Sequence, residues 1–207
     1  MRLFDVLGPV MIGPSSSHTA GAARIGYTAQ KLLGEVPAKA DIGLYGSFAT
    51  TGKGHGTDRA LVAGLLGLRP DDPRLPDSFA LAEEQGMAVL RSHPVELRSA
   101  HPNTAVLRLT ARSGRELSLK AASVGGGRIR VTEIDGVPAD FGGDSNTLII
   151  HNEDIPRLHR RGDHVAGAAA HQHCVHAGVP GGGGPLRGHG TGMRLPHPPT
   201  RWNSSWP

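Results

Sequence analysis

Cysteine is nearly missing from this chain: Cys174 stands alone among 207 residues. One thiol excludes an internal disulfide framework. Aromatic residues are also scarce, at 4%, so the core has to be built from Leu, Val, Ile and Ala. No apolar run is long enough to span a bilayer, and the opening Met1-Arg2-Leu3-Phe4-Asp5 lacks the apolar segment of a signal peptide. The expected location is cytoplasmic, with no membrane partner.

The charge is unevenly placed. Lysine is absent from residues 157–207, which hold six of the 22 basic residues but one of the 18 acidic ones. The rest of the chain carries 16 basic against 17 acidic side chains. The overall pI of about 9.7 therefore reflects the tail, and the body has no electrostatic footprint for nucleic acid. The tail also concentrates ten Gly, six Pro and seven His without a periodic apolar pattern, a composition expected to stay disordered. Its cluster around His171, His173 and Cys174 lacks the second ligand pair of a structural metal site.

What is present is a run of small polar residues, Gly13-Pro14-Ser15-Ser16-Ser17-His18-Thr19-Ala20-Gly21, opening an amphipathic pattern. Apolar residues at Ala22, Ile25, Ala29 and Leu32 predict a helix over roughly 19–33, with Ser17 or Thr19 as its N-cap. Hydroxyls, an imidazole and free amides at the positive end of a helix suit a carboxylate or phosphate. Serine runs before helices are also common caps and linkers, so this stretch alone does not decide. A strand is expected at 41–47.

The next unusual stretch is Thr50-Thr51-Gly52-Lys53-Gly54-His55-Gly56-Thr57-Asp58. It fails the phosphate-binding loop pattern, because five residues separate Gly46 from Gly52-Lys53 and a glycine follows the lysine. Its alternating glycines read as a loop before a helix capped by Thr57. On such a loop Lys53 and His55 can face one cleft, where the cationic setting favours a neutral, proton-accepting imidazole. Downstream, residues 78–90 look weakly helical. Strands are expected at 95–99, 105–111, 116–122, 128–134 and 146–151, with turns at Arg112-Ser113-Gly114-Arg115 and Asp135-Gly136.

Residues 12–19 together with 46–58 resemble the β chain of the iron–sulfur-dependent L-serine dehydratases. His101-Pro102-Asn103-Thr104 and Ser123-Val124-Gly125-Gly126-Gly127 are similar to two further stretches of that family, so the resemblance spans about residues 1–156. It implies an α+β fold with a mixed or antiparallel sheet and flanking helices, like the substrate-binding regulatory domain of some phosphoglycerate dehydrogenases. This domain would occupy 1–145, the start of an ACT domain 146–156, and the tail 157–207.

The resemblance further implies an L-serine ammonia-lyase of amino-acid degradation and gluconeogenesis, converting L-serine to pyruvate and ammonia without pyridoxal phosphate. A [4Fe–4S] cluster held by a partner α chain would polarise the leaving hydroxyl. His55 matches the family's proposed base, with Lys53 beside it. Ser15, Ser16, Ser17, His18 and Thr19 would receive the substrate carboxylate, His18 and Lys53 adding positive charge. The competing reading is a non-catalytic carboxylate-binding regulatory module of the same fold.

After Asn152-Glu153-Asp154-Ile155-Pro156 the sequence departs from the family. One choice of codons for residues 157–164, read one base on, spells Gly-Phe-Ile-Gly-Glu-Val-Thr, the expected start of an ACT helix. The same operation on residues 171–179 gives Thr-Ser-Ile-Ala-Cys-Met-Gln-Val, an apolar strand pattern. The expectation is a one-base frameshift near codon 157 that replaced an ACT domain.

Overall fold

The computed structural model describes residues 10–144, 147–152 and 171–176. Period-two alternation in the middle of the chain produces its main sheet. In β3 (Thr104–Ala111) the inward positions are Ala105, Leu107, Leu109 and Ala111, all buried. Leu117, Leu119 and Ala121 do the same in β4 (Glu116–Gly125), as do Ile129 and Val131 in β5 (Arg128–Ile134). With β1 (Pro37–Tyr45), β2 (Ala88–Pro94) and β6 (Val137–Phe141) they form six strands in the order β2-β1-β3-β4-β5-β6. Only the β1–β2 pair is parallel.

Helices cover one face of this sheet. In α1 (Ala22–Leu33) the buried residues are Ala22, Ala23, Ile25, Gly26, Ala29 and Leu33, spaced as one helical stripe. The helix ends at Gly34, whose φ of +87° is the left-handed C-cap geometry. A six-residue π-helical turn, Ser16–Gly21, leads directly into it. Beside it runs α3 (Thr57–Leu65), with Ala60 to Leu65 buried. The two backbones touch where both sequences have glycine. A Cβ on Gly26 would lie 2.2 Å from the Leu61 carbonyl oxygen, and one on Gly64 would lie 2.1 Å from that of Ala23. The short α4 (Ser78–Glu84) closes the layer over β2. The α+β architecture with flanking helices is as expected, and the core is aliphatic apart from Phe48, Met87 and Phe141. No helix among the described residues is long and apolar enough to cross a membrane.

The glycine-rich stretch is not a loop. Residues Ser47–His55 form a helix, α2. Tertiary contacts override the poor helix propensity of Gly52 and Gly54. Phe48 is wholly buried, and Gly52 packs against Thr57. Gly46, at φ +58°, makes the turn from strand to helix, where a Cβ would meet the Pro102 carbonyl oxygen at 2.7 Å. That turn also ends β1 earlier than the expected 41–47.

Other boundaries shift as well. The Ser run is capped by Ser15, not Ser17 or Thr19: its Oγ accepts the His18 amide at 3.1 Å. Gly56, not Thr57, stands at the N-cap of α3. Residues 88–94 form β2 in place of a helix through 90 and a strand at 95–99, because Gly86 at φ +70° ends α4's turn. Strand β6 was not anticipated.

The expected strands at 105–111, 116–122 and 128–134 are present; the turn at 112–115 joins the first two, and the turn at 135–136 leads from the third into β6. Strand β7 (Thr147–Asn152) is close to its expected place, and Ile149 packs on the core. Within the stretch read as a disordered tail, β8 (His171–His176) pairs antiparallel with β7. Strand pairing satisfies backbone groups whatever the side chains, which composition does not register. The remaining residues of 153–207 lie outside the described ones, as does the expected ACT helix.

The Gly26–Gly64 contact leaves no room for a methyl group. Gly26→Ala should lower unfolding stability by about 2–3 kcal/mol, as overpacking does, read as a shift in the urea midpoint at unchanged m-value. An unshifted midpoint would mean the helices do not meet there.

Candidate functional site

Three segments meet at the end of the sheet where β1 runs into α2. Ser15 begins the π-helical turn, and its carbonyl accepts the Thr19 and Ala20 amides. The amides of Ser16 and Ser17 open the helix, where first-turn N–H groups have no intrahelical acceptor. Ser15, Ser16, Ser17 and His18 are all half-buried. The Ser15 and Ser17 hydroxyls stand 3.4 Å apart, and Ser17 Oγ lies 3.2 Å from His18 Nδ1.

On its other side His18 reaches α2. Its Nε2 is 3.0 Å from Ser47 Oγ and 3.1 Å from Thr51 Oγ1. Thr51 donates its own proton to the Ser47 carbonyl at 2.9 Å, so its oxygen is left to accept from His18. We assign the His18 proton to Nε2 on this network, with Nδ1 accepting from Ser17. The ring stands edge-on to Phe48, with centroids 5.3 Å apart. Burial, and after it the nearby His55, hold the His18 pKa below its ordinary 6.5, opposed by a bond with Ser47. At neutral pH His18 is an uncharged hydrogen-bonding ring. It does not supply the positive charge expected of it.

His55 lies beside it, with ring centroids 4.9 Å apart. Its Nδ1 is 3.1 Å from the Thr51 carbonyl, which can only accept. That bond places the His55 proton on Nδ1 and leaves a lone pair on Nε2, the arrangement a general base needs. Thr19 is 1% exposed and donates its hydroxyl to the His55 carbonyl at 3.0 Å. Its side chain positions the end of α2 and is committed there. The Ser run and His55 thus share one site, although 36 residues separate Thr19 from His55.

Lys53 sits differently from the loop expectation. On a helix, residues two apart are roughly 200° apart around the axis, so Lys53 and His55 do not share a stripe. Lys53 is exposed, yet both border one cavity of about 440 Å³ at the end of α2. Its other walls include Ile12, Pro14, Thr19, Asp58 and Arg59.

Two residues central to this geometry, Ser47 and Thr51, were not among the candidates. With His55 they fall at i, i+4 and i+8, one helical face, a signal visible only if the stretch is read as helix. The stretches at 101–104 and 123–127 stand behind the site. The Pro102 carbonyl accepts the Phe48 amide at 3.4 Å, and the Asn103 carbonyl accepts the Ser123 amide at 2.9 Å. Ser123 is buried against Gly21, where a Cβ would fall 2.1 Å from its Oγ.

The lowered His18 value makes a prediction about stability. A fold that favours the neutral ring is stabilised fully above about pH 6.5 and loses that contribution as pH falls through the lower folded value. The stability advantage of wild type over His18→Gln should therefore shrink between about pH 7.5 and 5 in parallel urea titrations. An advantage that grows on acidification would contradict the assigned direction.

Comparison with known proteins bears on this site. Residues 3–83, which hold both the Ser run and all of α2, match the family model described as serine dehydratase beta chain. The chain is 44% identical over 152 residues to the probable L-serine dehydratase beta chain of Bacillus subtilis, covering 73% of this chain and 68% of that one. It is 40% identical over 147 residues to the L-serine dehydratase beta chain of Peptoniphilus asaccharolyticus, covering 71% and 66%. Escherichia coli L-serine dehydratase 2 matches at 34% over 154 residues, a third of its length. With the hydroxyl-and-histidine site carried inside the matched segment, the chain belongs to the serine dehydratase beta-chain family.

Proposed function

We propose that this chain is the beta subunit of a [4Fe–4S]-dependent L-serine dehydratase and that His55 is its general base. The observation that carries the reading is the His55 Nδ1 bond to the Thr51 carbonyl, which leaves Nε2 free to take a proton. L-serine loses its Cα proton to that nitrogen while the Cβ–oxygen bond breaks. The resulting enamine tautomerises to an imine, which water hydrolyses to pyruvate and ammonia.

The substrate carboxylate is received by the Ser15–Ser17 segment, where hydroxyls and first-turn amides are donors. Lys53, at the cavity edge, supplies the cationic charge that neutral His18 does not. His18 acts instead through Ser47 and Thr51, holding α2 against the Ser run.

A cluster does not fit this chain. Its single cysteine falls short of the three or four thiolates required, and no group of three His, Cys, Asp or Glu among the described residues could hold a metal. In this reading the cluster would belong to a cysteine-bearing alpha chain and would supply Lewis-acid chemistry for the leaving hydroxyl. The site's half-buried hydroxyls then face an interface between two subunits.

The test is anaerobic co-expression with such an alpha chain and assay of pyruvate formed from L-serine. His55→Ala should lower kcat by about 10²- to 10⁴-fold, the usual contribution of general-base catalysis. Unchanged kcat would remove His55 from that role, and a wild-type pair inactive on L-serine would overturn the reading.

A further inference from the structure

The cavity beside His55 carries charge of both signs, and none of it is neutralised by an ion pair among the described residues. Asp58 is half-buried in the first turn of α3, and its Oδ1 accepts the Arg59 amide at 2.8 Å. That is its one polar contact, so the second carboxylate oxygen has no partner among the described residues. Lys53 and Arg59, both exposed, also border the cavity. Ile12, Pro14, Leu75 and Pro76 add apolar surface to its lining.

A cavity with one carboxylate, two cations and apolar surface in its lining is complementary to a small zwitterion. Resting on the reading of the chain as a serine dehydratase subunit, we infer that Asp58 is the specificity-determining counter-charge for the substrate's α-ammonium group. The cavity volume of about 440 Å³ lies in the range of small-molecule sites and is ample for an amino acid. Among the described residues Asp58 is the one carboxylate bordering it, whereas an anion can be met there by Lys53 or Arg59. His55 on the same cavity brings its proton acceptor near the carbon that bears both charged groups.

A carboxylate in a first helical turn has an ordinary structural use, as a partner for the free amides and the positive helix end. The two roles separate experimentally. Asp58→Asn keeps the oxygen that accepts the Arg59 amide but removes the charge. Glyceric acid is the probe, since it keeps the carboxylate and β-hydroxyl of serine and replaces the amine with hydroxyl.

In the two-chain enzyme, Asp58→Asn should raise KM for L-serine about 10- to 100-fold, the loss expected for a charge-assisted hydrogen bond. The inhibition constant of L-glycerate should stay the same or fall. Asp58→Glu, which keeps the charge, should retain the preference for the amine. Equal weakening of serine and glycerate, or no change in either, overturns the inference while leaving the serine dehydratase reading in place. A wild-type pair that does not turn over L-serine fails at the earlier step and takes the inference with it.

Discussion

The His18 imidazole holds the site together. Its two nitrogens bond to opposite walls, Nδ1 to Ser17 and Nε2 to Ser47 and Thr51. The ring thereby ties the start of the first helix to a helix 29 residues later. Other features reinforce the bond: Phe48 against the ring edge, Gly46 pressed on Pro102, and Thr19 holding the last carbonyl of α2. Losing the ring would release three hydroxyls and free α2, a helix whose own sequence includes Gly52 and Gly54 and supports it poorly.

This arrangement explains why two histidines so close together do different work. Each ring is fixed by a different acceptor. His18 donates from Nε2 to Thr51 Oγ1, whereas His55 donates from Nδ1 to the Thr51 carbonyl. A single threonine thus fixes both rings, through its side chain and its backbone. The pairing also lowers the affinity of His18 for a proton, because two imidazolium rings at 4.9 Å would repel.

Much of the fold was legible in the sequence, since β3, β4 and β5 are marked by alternation and joined by turns with glycine at positive φ. The motif residues were legible too, and the structure brings Ser15 to Thr19, Lys53 and His55 to one end of the sheet. The secondary structure beneath the second motif was not. Glycines at 46, 52, 54 and 56 argue locally against a helix, and what overrides them is the burial of Phe48 and Gly52, a tertiary fact. Reading that stretch as a loop hid the helical face shared by Ser47, Thr51 and His55. Nor does the sequence show that the Thr19 hydroxyl is committed to α2 or that burial lowers the His18 pKa. Strand β8 was missed for the opposite reason, because backbone pairing does not need the apolar pattern that sequence reading looks for.

The central claim is that Thr51 sets the proton positions of both rings. Nitrogen-15 NMR of the side-chain imidazoles, at a pH where both are neutral, tests it most directly. The account predicts opposite tautomers, with the proton on Nδ1 in His55 and on Nε2 in His18. A His55 proton found on Nε2 would leave no lone pair facing the site and would contradict the account.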